Sequence, residues 1–474
     1  MLLKYFINNE IKKYFADSKD VKKKEYQGDE TFSIYYQEEM ANIDNFEKFY
    51  LPMIKNVKEI DKILPNIVTK INIGALKETM EQIRNQIFNG FIIIVKNKTV
   101  YAIGLPNHKE RGVTDSMSEP NNIFGSRDGF IESLNTNIQL IRTRIKSEKF
   151  KIDEYILGER SQTRINILSM TDITNTHLLN KIKKIIEKIE AESILTLSDI
   201  TTYFNNKRIF PTTSYVGSPE MAAEAIYKGQ VVIMIDRIPN ALILPTSLFF
   251  ITKLRLDMQA PSYYSTFLRL YVLVALFVSV FWLGIMASFY TFHSANLSLL
   301  MIATLQVTQR GVIFSAFNEI LILLLLFELY QLVGLRSPGF TVQSIVIVVG
   351  GILMGQATVA SGLVGIVVMV VTAFSFLAAF TVTSDINFLI TISFLRLIML
   401  FASLLFGVFG LSIATIILFS YVCRHKFLNV SFLHPFVPFN RPDFVQFFQT
   451  KSSRQQGNRP DVLEPLDGKR KNKS

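Results

Sequence analysis

A run of 48 residues without a charged or histidine side chain, from Ser337 to Ser384, limits what this chain can fold into. A helix needs about 20 predominantly apolar residues to cross a hydrocarbon layer about 30 Å thick, so the run is long enough for two passages. It lies in a hydrophobic C-terminal half that begins near Phe267, whereas the residues before it are rich in charge. The sequence therefore predicts a soluble region followed by a membrane region.

Charge and cysteine content exclude several classes of protein. The formal net charge is +11, with lysines scattered along the N-terminal half and a cluster at Lys469, Arg470, Lys471 and Lys473. Basic segments beside membrane spans favour the cytoplasmic face, and no aromatic-basic groove or zinc spacing indicates nucleic-acid binding. The single cysteine, Cys423, excludes an intramolecular disulfide.

The soluble region is predicted to be α+β, with two subdomains that meet near residues 148–155. We expect a polar, lysine-rich extension over residues 1–50, a first subdomain over 51–150 and a second over 151–258. Alternating β-branched residues predict strands, and apolar residues three and four apart predict helices. The expected elements are a hairpin over 91–105, a helix from Phe130 to Ile145 with Asp128 as N-cap, strands over 154–157 and 164–170, a helix over 178–189, a short helix over 219–227 and a hairpin over 231–244.

The membrane region, residues 259–425, is predicted to be all α-helical and is followed by a tail over 426–474. Five apolar segments stand out: Leu270–Phe292, Val312–Gly334, Val342–Val359, Leu363–Thr383 and Leu397–Val422. Basic residues before the first and after the last segment place both ends in the cytoplasm, which requires an even number of crossings. Either one segment does not cross, and Val312–Gly334 is the best choice for it, or a crossing has been missed.

Two acids lie inside Val312–Gly334, and each has two readings. A carboxylate at mid-bilayer costs about 3 kcal/mol, so it needs protein or water beside it. Glu319 shares a helix face with Asn318, and it is predicted either to attract cations in an ion path or to lie at the membrane surface or pair with Arg310 or Arg336. For Glu328 the second reading is favoured.

The uncharged run carries a stripe of small groups at four- and three-residue spacing, in which Gly351, Gly355 and Gly362 predict close packing of helices. The alternative is a pore wall shared by identical subunits, with Val348 as a hydrophobic constriction and Thr358 on the same face. Gln356 is a neutral hydrogen-bonding group that either holds helices together or lines the path. Both readings remain open.

No catalytic chemistry is predicted. The sequence contains no GxxxxGK[ST] phosphate loop, no HExxH and no Cys/His cluster, and its histidines lack a serine or cysteine nucleophile in a recognisable setting. We therefore expect no enzyme activity, no cofactor and no metal.

Motifs spread over residues 50–450 resemble one family. They are Gly125–Phe130, Leu140–Arg144, Tyr155–Ser169, Ser218–Asp236, Leu244–Thr246, Arg310–Val312, Phe327–Leu329, Gly355–Ala357, Gly362–Val364 and Leu433–Phe439. In order and spacing the chain resembles the A subunit of bacterial spore germinant receptors, the GerA family. The positions that match most clearly are Arg127, Gly129, Asn137, Arg142, Glu328, Pro435 and Pro438.

The resemblance implies a multi-pass protein of the spore inner membrane, with its N-terminal region and C-terminal tail in the cytoplasm. It implies two partners, a transporter-like B subunit that holds the nutrient and a lipoprotein C subunit, and a homo-oligomer in membrane lipid that forms a ligand-gated path for monovalent cations. Leu324 and Ala360 stand where many relatives carry acids, which places more weight on Glu319. A non-conducting scaffold and a secondary transporter remain as alternative functions.

Overall fold

The chain forms two compact units in a computed structural model that describes residues 2–18, 20–27, 31–55, 68–71, 76–96, 99–105, 128–205, 209–252, 262–336, 355–356, 358–383, 385–448 and 458–469. The sheet unit comprises Met1–Lys207, Thr212–Pro245 and Ser453–Ser474. The helical unit comprises Arg208–Pro211 and Thr246–Ser452. The predicted order of an α+β region followed by a helical region is confirmed.

The first sheet of the sheet unit has five antiparallel strands in the order β1-β2-β4-β5-β3. Its elements are α1 (Leu2–Tyr14), β1 (Val21–Tyr26), β2 (Phe32–Gln37), α2 (Ile43–Asn45), a π-helical turn (Phe46–Tyr50), α3 (Leu51–Lys55), β3 (Val68–Ile71), α4 (Leu76–Ile87), β4 (Phe91–Lys96) and β5 (Thr99–Gly104). Strand β4 is apolar from Phe91 to Val95 because both of its faces are covered. Ile93 and Val95 pack with α1 and α4, whereas Ile92 and Ile94 pack with Phe46 and Ile54 on the other face.

The extension predicted for residues 1–50 is wrong, because these residues build part of the first sheet. Every residue of β2 is buried. Strand β1 lies at the sheet edge, and its lysines, Lys22 to Lys24, pair with exposed glutamates. Lysines on an edge strand prevent pairing with another chain. Because these residues also lack an apolar pattern, β1 was not recognised as a strand from the sequence.

The second sheet is also antiparallel, in the order β6-β7-β9-β10-β8. Its elements are α5 (Leu134–Arg144), β6 (Phe150–Leu157), β7 (Thr163–Met170), α6 (Thr176–Ile186), α7 (Leu197–Asn205), β8 (Ser214–Val216), α8 (Pro219–Lys228), β9 (Val231–Ile235) and β10 (Ala241–Leu244). The predicted strands and hairpins are confirmed, but the helix expected from Phe130 begins at Leu134. Its N-cap is Ser133, whose side chain accepts a hydrogen bond from Thr136 N, and not Asp128.

The end of the chain returns to the sheet unit, so residues 426–474 are not one tail. Arg459 donates hydrogen bonds to Tyr227 O (3.0 Å) and to Asp467 O (2.7 Å), and Leu466 N donates to Ile173 O (2.9 Å). Residues 458–469 therefore dock on the second sheet subdomain, while residues 426–448 belong to the helical unit.

The helical unit is built from apolar helices. Its elements are α9 (Leu248–Ile251), α10 (Ser262–Phe277), a π-helical segment (Val278–Trp282), α11 (Leu283–Thr291), a 3-10 turn (Ser294–Asn296), α12 (Leu299–Thr308), α13 (Ala316–Arg336), α14 (Ile366–Val382), α15 (Ile386–Arg424), β11 (Lys426–Phe427), β12 (Val430–Ser431) and α16 (Arg441–Phe448). By length and composition, Tyr263–Thr291 and Ile386–Arg424 are able to cross a membrane. The predicted segment Val342–Val359 lies mostly outside the described residues.

Helix α15 is a hairpin, not a single rod. Gly407 has φ +60° and ψ −143°, and a Cβ on Gly410 would lie 2.2 Å from Ala402 O, eight residues earlier. Thr391 Oγ1 donates to Ile209 O (3.1 Å), while the Tyr421 ring lies 6.0 Å from that of Phe210. In a straight helix Thr391 and Tyr421 would be about 45 Å apart. The chain therefore reverses at Gly407, and the arms 386–406 and 408–424 return to the same place.

The helical unit consequently has two ends. The Phe210 end holds Ile251, whose carbonyl accepts a hydrogen bond from Thr383 Oγ1 after α14, and both outer termini of the hairpin. The Glu319 end holds the last turn of α11, the first turns of α13 and α14, and Gly407, where an added Cβ would lie 3.0 Å from His293 Cε1. Helices α13 and α14 thus start together and run in the same direction.

Candidate functional site

Glu319 joins three helices at the Glu319 end. It lies in the first turn of α13 and is fully buried. Gly365 N, at the start of α14, donates a hydrogen bond to Oε1, and Tyr290 OH, in α11, donates to Oε2 (3.3 Å). A carboxylate at a helix N-terminus satisfies an unpaired amide and interacts favourably with the helix dipole. In the described part of the chain Glu319 therefore fixes the start of α14.

Beside Glu319, the loop before α13 contacts the loop before α14. Ile313 N donates to Gly362 O (2.9 Å), and Gly362 has φ +66°. A Cβ at Gly362 would lie 2.5 Å from Gly311 O, so only glycine fits this turn. The position predicted to pack helices serves as a tight turn between α14 and the residues before it.

The other predicted path residues that the structure describes differ in exposure. Asn318 and Gln356 are exposed, and Thr358 is buried. Gly355 faces α14, where an added Cβ would lie 2.8 Å from Met369 Cε, which fits the helix-packing reading. Val348 and Gly351 lie outside the described residues.

Glu328, for which a position at the membrane surface or a pair with Arg310 or Arg336 was predicted, pairs with a different, buried arginine. Arg396, in the first arm of α15, is fully buried, and its Nη2 lies 3.1 Å from Glu328 Oε1. The guanidinium carbon lies 3.6 Å from the centre of the Phe376 ring, and that ring stacks on Phe327. The signal in the sequence was an arginine within the 39-residue apolar segment Ile386–Arg424, whose only other charged residue is the arginine at its end.

In the sheet unit, Arg142 is a fully buried cation that joins the two subdomains. Its Nε donates to Asp20 Oδ2 (2.8 Å) and its Nη2 to Asp20 Oδ1 (2.5 Å), so the carboxylate is held at both oxygens. Its guanidinium lies between the rings of Phe88 (4.4 Å) and Phe150 (4.7 Å). Asp20 and Phe88 adjoin the first sheet, whereas Arg142 in α5 and Phe150 in β6 belong to the second sheet. Helix α5 packs in the core of the second sheet, although the sequence assigned residues 51–150 to the first subdomain.

A second acid adjoins this ion pair. Gln37 Nε2 donates hydrogen bonds to Asp20 Oδ2 (3.2 Å) and to the Glu39 carboxylate. Burial, followed by the charge of Asp20, raises the pKa of Glu39 to about 7. Glu39 is therefore partly protonated near neutral pH, which reduces repulsion between the two acids.

Four of the remaining family positions lie in or contact described loops. Asn137 is buried, its Nδ2 donates to Ile131 O (2.6 Å) and its Oδ1 accepts from Ile131 N (2.9 Å), which closes the loop before α5. Gly129 is buried in the same loop. Pro435 and Pro438 lie in the turns between β12 and α16, where His434 Nε2 contacts Asp443 Oδ2 at 2.7 Å. Arg127 lies outside the described residues.

Fold and site define a class: an α+β sheet unit joined to an apolar helical unit that carries buried charges. The family model for the Bacillus/Clostridium GerA spore germination protein matches residues 9–462. The chain therefore belongs to the GerA family of spore germination proteins.

Individual relatives agree with this assignment. The chain is 29% identical over 385 residues to spore germination protein XA of Bacillus anthracis, covering 80% of this chain and 78% of that one. It is 27% identical to spore germination protein KA of Bacillus subtilis (82% and 71%) and 25% identical to the uncharacterized membrane protein YfkQ of Bacillus subtilis (84% and 78%). The crystal structure of the N-terminal domain of the A subunit of the Bacillus megaterium germinant receptor GerK3 aligns with a TM-score of 0.36 at 17% identity, covering 50% of this chain and 92% of that one.

Proposed function

We propose that this chain is the A subunit of a nutrient germinant receptor and forms, as a homo-oligomer, a ligand-gated path for monovalent cations in the spore inner membrane. It acts with a transporter-like B subunit and a lipoprotein C subunit, and it is not an enzyme. Family membership supports the receptor role. The observation that carries the conducting role is an ion pair inside an apolar helical unit, between the buried Arg396 and the part-exposed Glu328, because ionisable groups at membrane depth mark ion pathways by default.

The surface of the helical unit suits lipid. Large apolar side chains are exposed along its helices, among them Val370, Leu377, Phe409 and Ile416, each more than 60% exposed. Soluble monomers rarely expose apolar patches of this extent. Lipid and neighbouring copies of the chain would cover these faces.

The two ends of the helical unit support five crossings among the described residues. Residues 262–291 run from the Phe210 end to the Glu319 end, α13 returns, and α14 begins again at the Glu319 end and also returns. The two arms of α15 add a fourth and a fifth crossing. Basic residues before the first and after the last apolar segment favour the cytoplasm for both ends of the helical unit, which requires an even total. We therefore propose six crossings, of which Val312–Gly334 is one.

Single-cysteine labelling tests this topology in a Cys423→Ser background. We expect cysteines at Ser294 and Phe409 to react with an impermeant reagent only from the outer side, and a cysteine at Lys426 only from the cytoplasmic side. If α15 were a single span, position 409 would lie within the hydrocarbon layer and would not react. Labelling of 294 and 409 from opposite sides would also contradict the hairpin.

Ion flux tests the conducting role. In liposomes that contain the receptor with its B and C partners, we expect nutrient to increase potassium release. The matched measurement uses the same liposomes without this chain. Absence of conductance in every state would overturn the channel and favour the scaffold, whereas accumulation of a solute against its gradient would favour a transporter.

A further inference from the structure

The Glu328–Arg396 pair lies at the middle of the helical unit. Glu328 is twelve residues into α13, about 18 Å along a helix about 31 Å long. Arg396 is ten residues into the first arm of α15, about 15 Å from its start at the opposite end. Glu319, in contrast, lies within the first turn of α13, at the edge of the apolar layer.

Arg396 has unmet hydrogen-bond donors in this ion pair, and the Glu328 carboxylate is partly exposed. Arg396 Nη2 donates to Glu328 Oε1 and to Ser393 Oγ (3.0 Å), but its buried Nε and Nη1 have no hydrogen-bond acceptor among the residues that the structure describes. Unmet buried donors are costly, so the guanidinium gains if a second acceptor reaches it. The Glu328 side chain is 28% exposed although Arg396 is not exposed at all.

Glu319 differs from Glu328 in both hydrogen bonding and exposure. Both of its oxygens accept hydrogen bonds, and no part of it is exposed. A cation could bind there only by breaking the start of α14. Glu328 is therefore the better ion ligand of the two, because one of its faces is already open.

We propose that Glu328 is the carboxylate that binds and selects the permeating cation, and that Arg396 neutralises it while the path is closed. This inference rests on the proposed function. A closed pair has no net charge and attracts no cation, whereas separation of α13 from the first arm of α15 would expose the carboxylate.

Substitutions in the receptor complex, reconstituted with its partners in liposomes, test the two roles separately. We expect Glu328→Gln to lower the permeability ratio of potassium to chloride at least tenfold, while Glu328→Asp, which keeps the charge, stays within threefold. We expect Arg396→Gln to raise potassium flux before nutrient is added at least tenfold. Ser393→Ala is the matched control, because it removes a hydrogen bond from the same guanidinium without changing charge, and it should alter neither quantity more than twofold.

The outcomes separate this inference from the proposed function. If the unmodified receptor does not conduct, the proposed function fails. If it conducts and Glu328→Gln leaves the permeability ratio within twofold, the role of Glu328 is overturned. If Arg396→Gln does not assemble, Arg396→Lys replaces it, which keeps the charge and should keep flux low without nutrient. High flux in the lysine variant would contradict the neutralising role.

Discussion

Replacing Arg142 by alanine is expected to reduce the free energy of unfolding of the sheet unit by about 3–5 kcal/mol. The substitution leaves the Asp20 carboxylate buried without its counter-ion, with Glu39 close by. It also empties the space between the Phe88 and Phe150 rings. Hydrogen exchange of the slowest amides in β7 and β9, measured in the full chain, reports this free energy.

A matched control separates burial from charge. Arg164 pairs with Glu154 at 3.3 Å, but both side chains are at least 40% exposed. Exposed pairs contribute less than about 1 kcal/mol, so Arg164→Ala should have a small effect. The double variant Asp20→Leu with Arg142→Met should recover part of the loss, because no charge remains buried. Equal effects of Arg142→Ala and Arg164→Ala would contradict a stabilising role for the buried pair.

Replacing Gly407 by valine is expected to destabilise the helical unit by about 3 kcal/mol. A β-branched residue at φ +60° is strained, and its Cβ would meet His293 at 3.0 Å and Phe292 at 3.3 Å. Trp282, the only tryptophan, precedes Gly284, which contacts both arms of the hairpin. Its fluorescence during unfolding in detergent is therefore a suitable measurement.

Gly311→Ala is the control for backbone strain alone. Gly311 also has a positive φ, +91°, but no atom lies within 4 Å of an added Cβ. Its replacement should cost about 1–2 kcal/mol. If Gly407→Val were no more destabilising than Gly311→Ala, the chain reversal would not depend on close approach at Gly407.

Local periodicity predicted the hairpins β4–β5 and β9–β10 because those strands are short, mostly apolar and bounded by turns. It could not predict the reversal at Gly407. The charge of Arg396 marked the start of the last apolar segment at Leu397, although α15 begins at Ile386. An arginine whose charge is met by Glu328, on another helix, cannot be distinguished from a boundary residue by sequence position alone.

The partners of the candidate site residues could not be predicted from the sequence either. Glu319 and Glu328 were identified from the sequence, but their relative burial depends on residues more than 40 positions away, Gly365 for the first and Arg396 for the second. Asp20 and Arg142 are 122 positions apart, and nothing in either local segment indicates the pairing. The residue types could be recognised from the sequence, whereas their partners required the fold.

The return of residues 458–469 to the sheet unit has a consequence for synthesis. Arg459 and Leu466 complete contacts with Tyr227 and Ile173, yet the ribosome makes them only after every helix of the helical unit. That docking surface on the sheet unit therefore stays uncovered until the helices have been synthesised. Because residues 458–469 are translated after the helices, a chain released before they are made would leave this surface exposed to solvent.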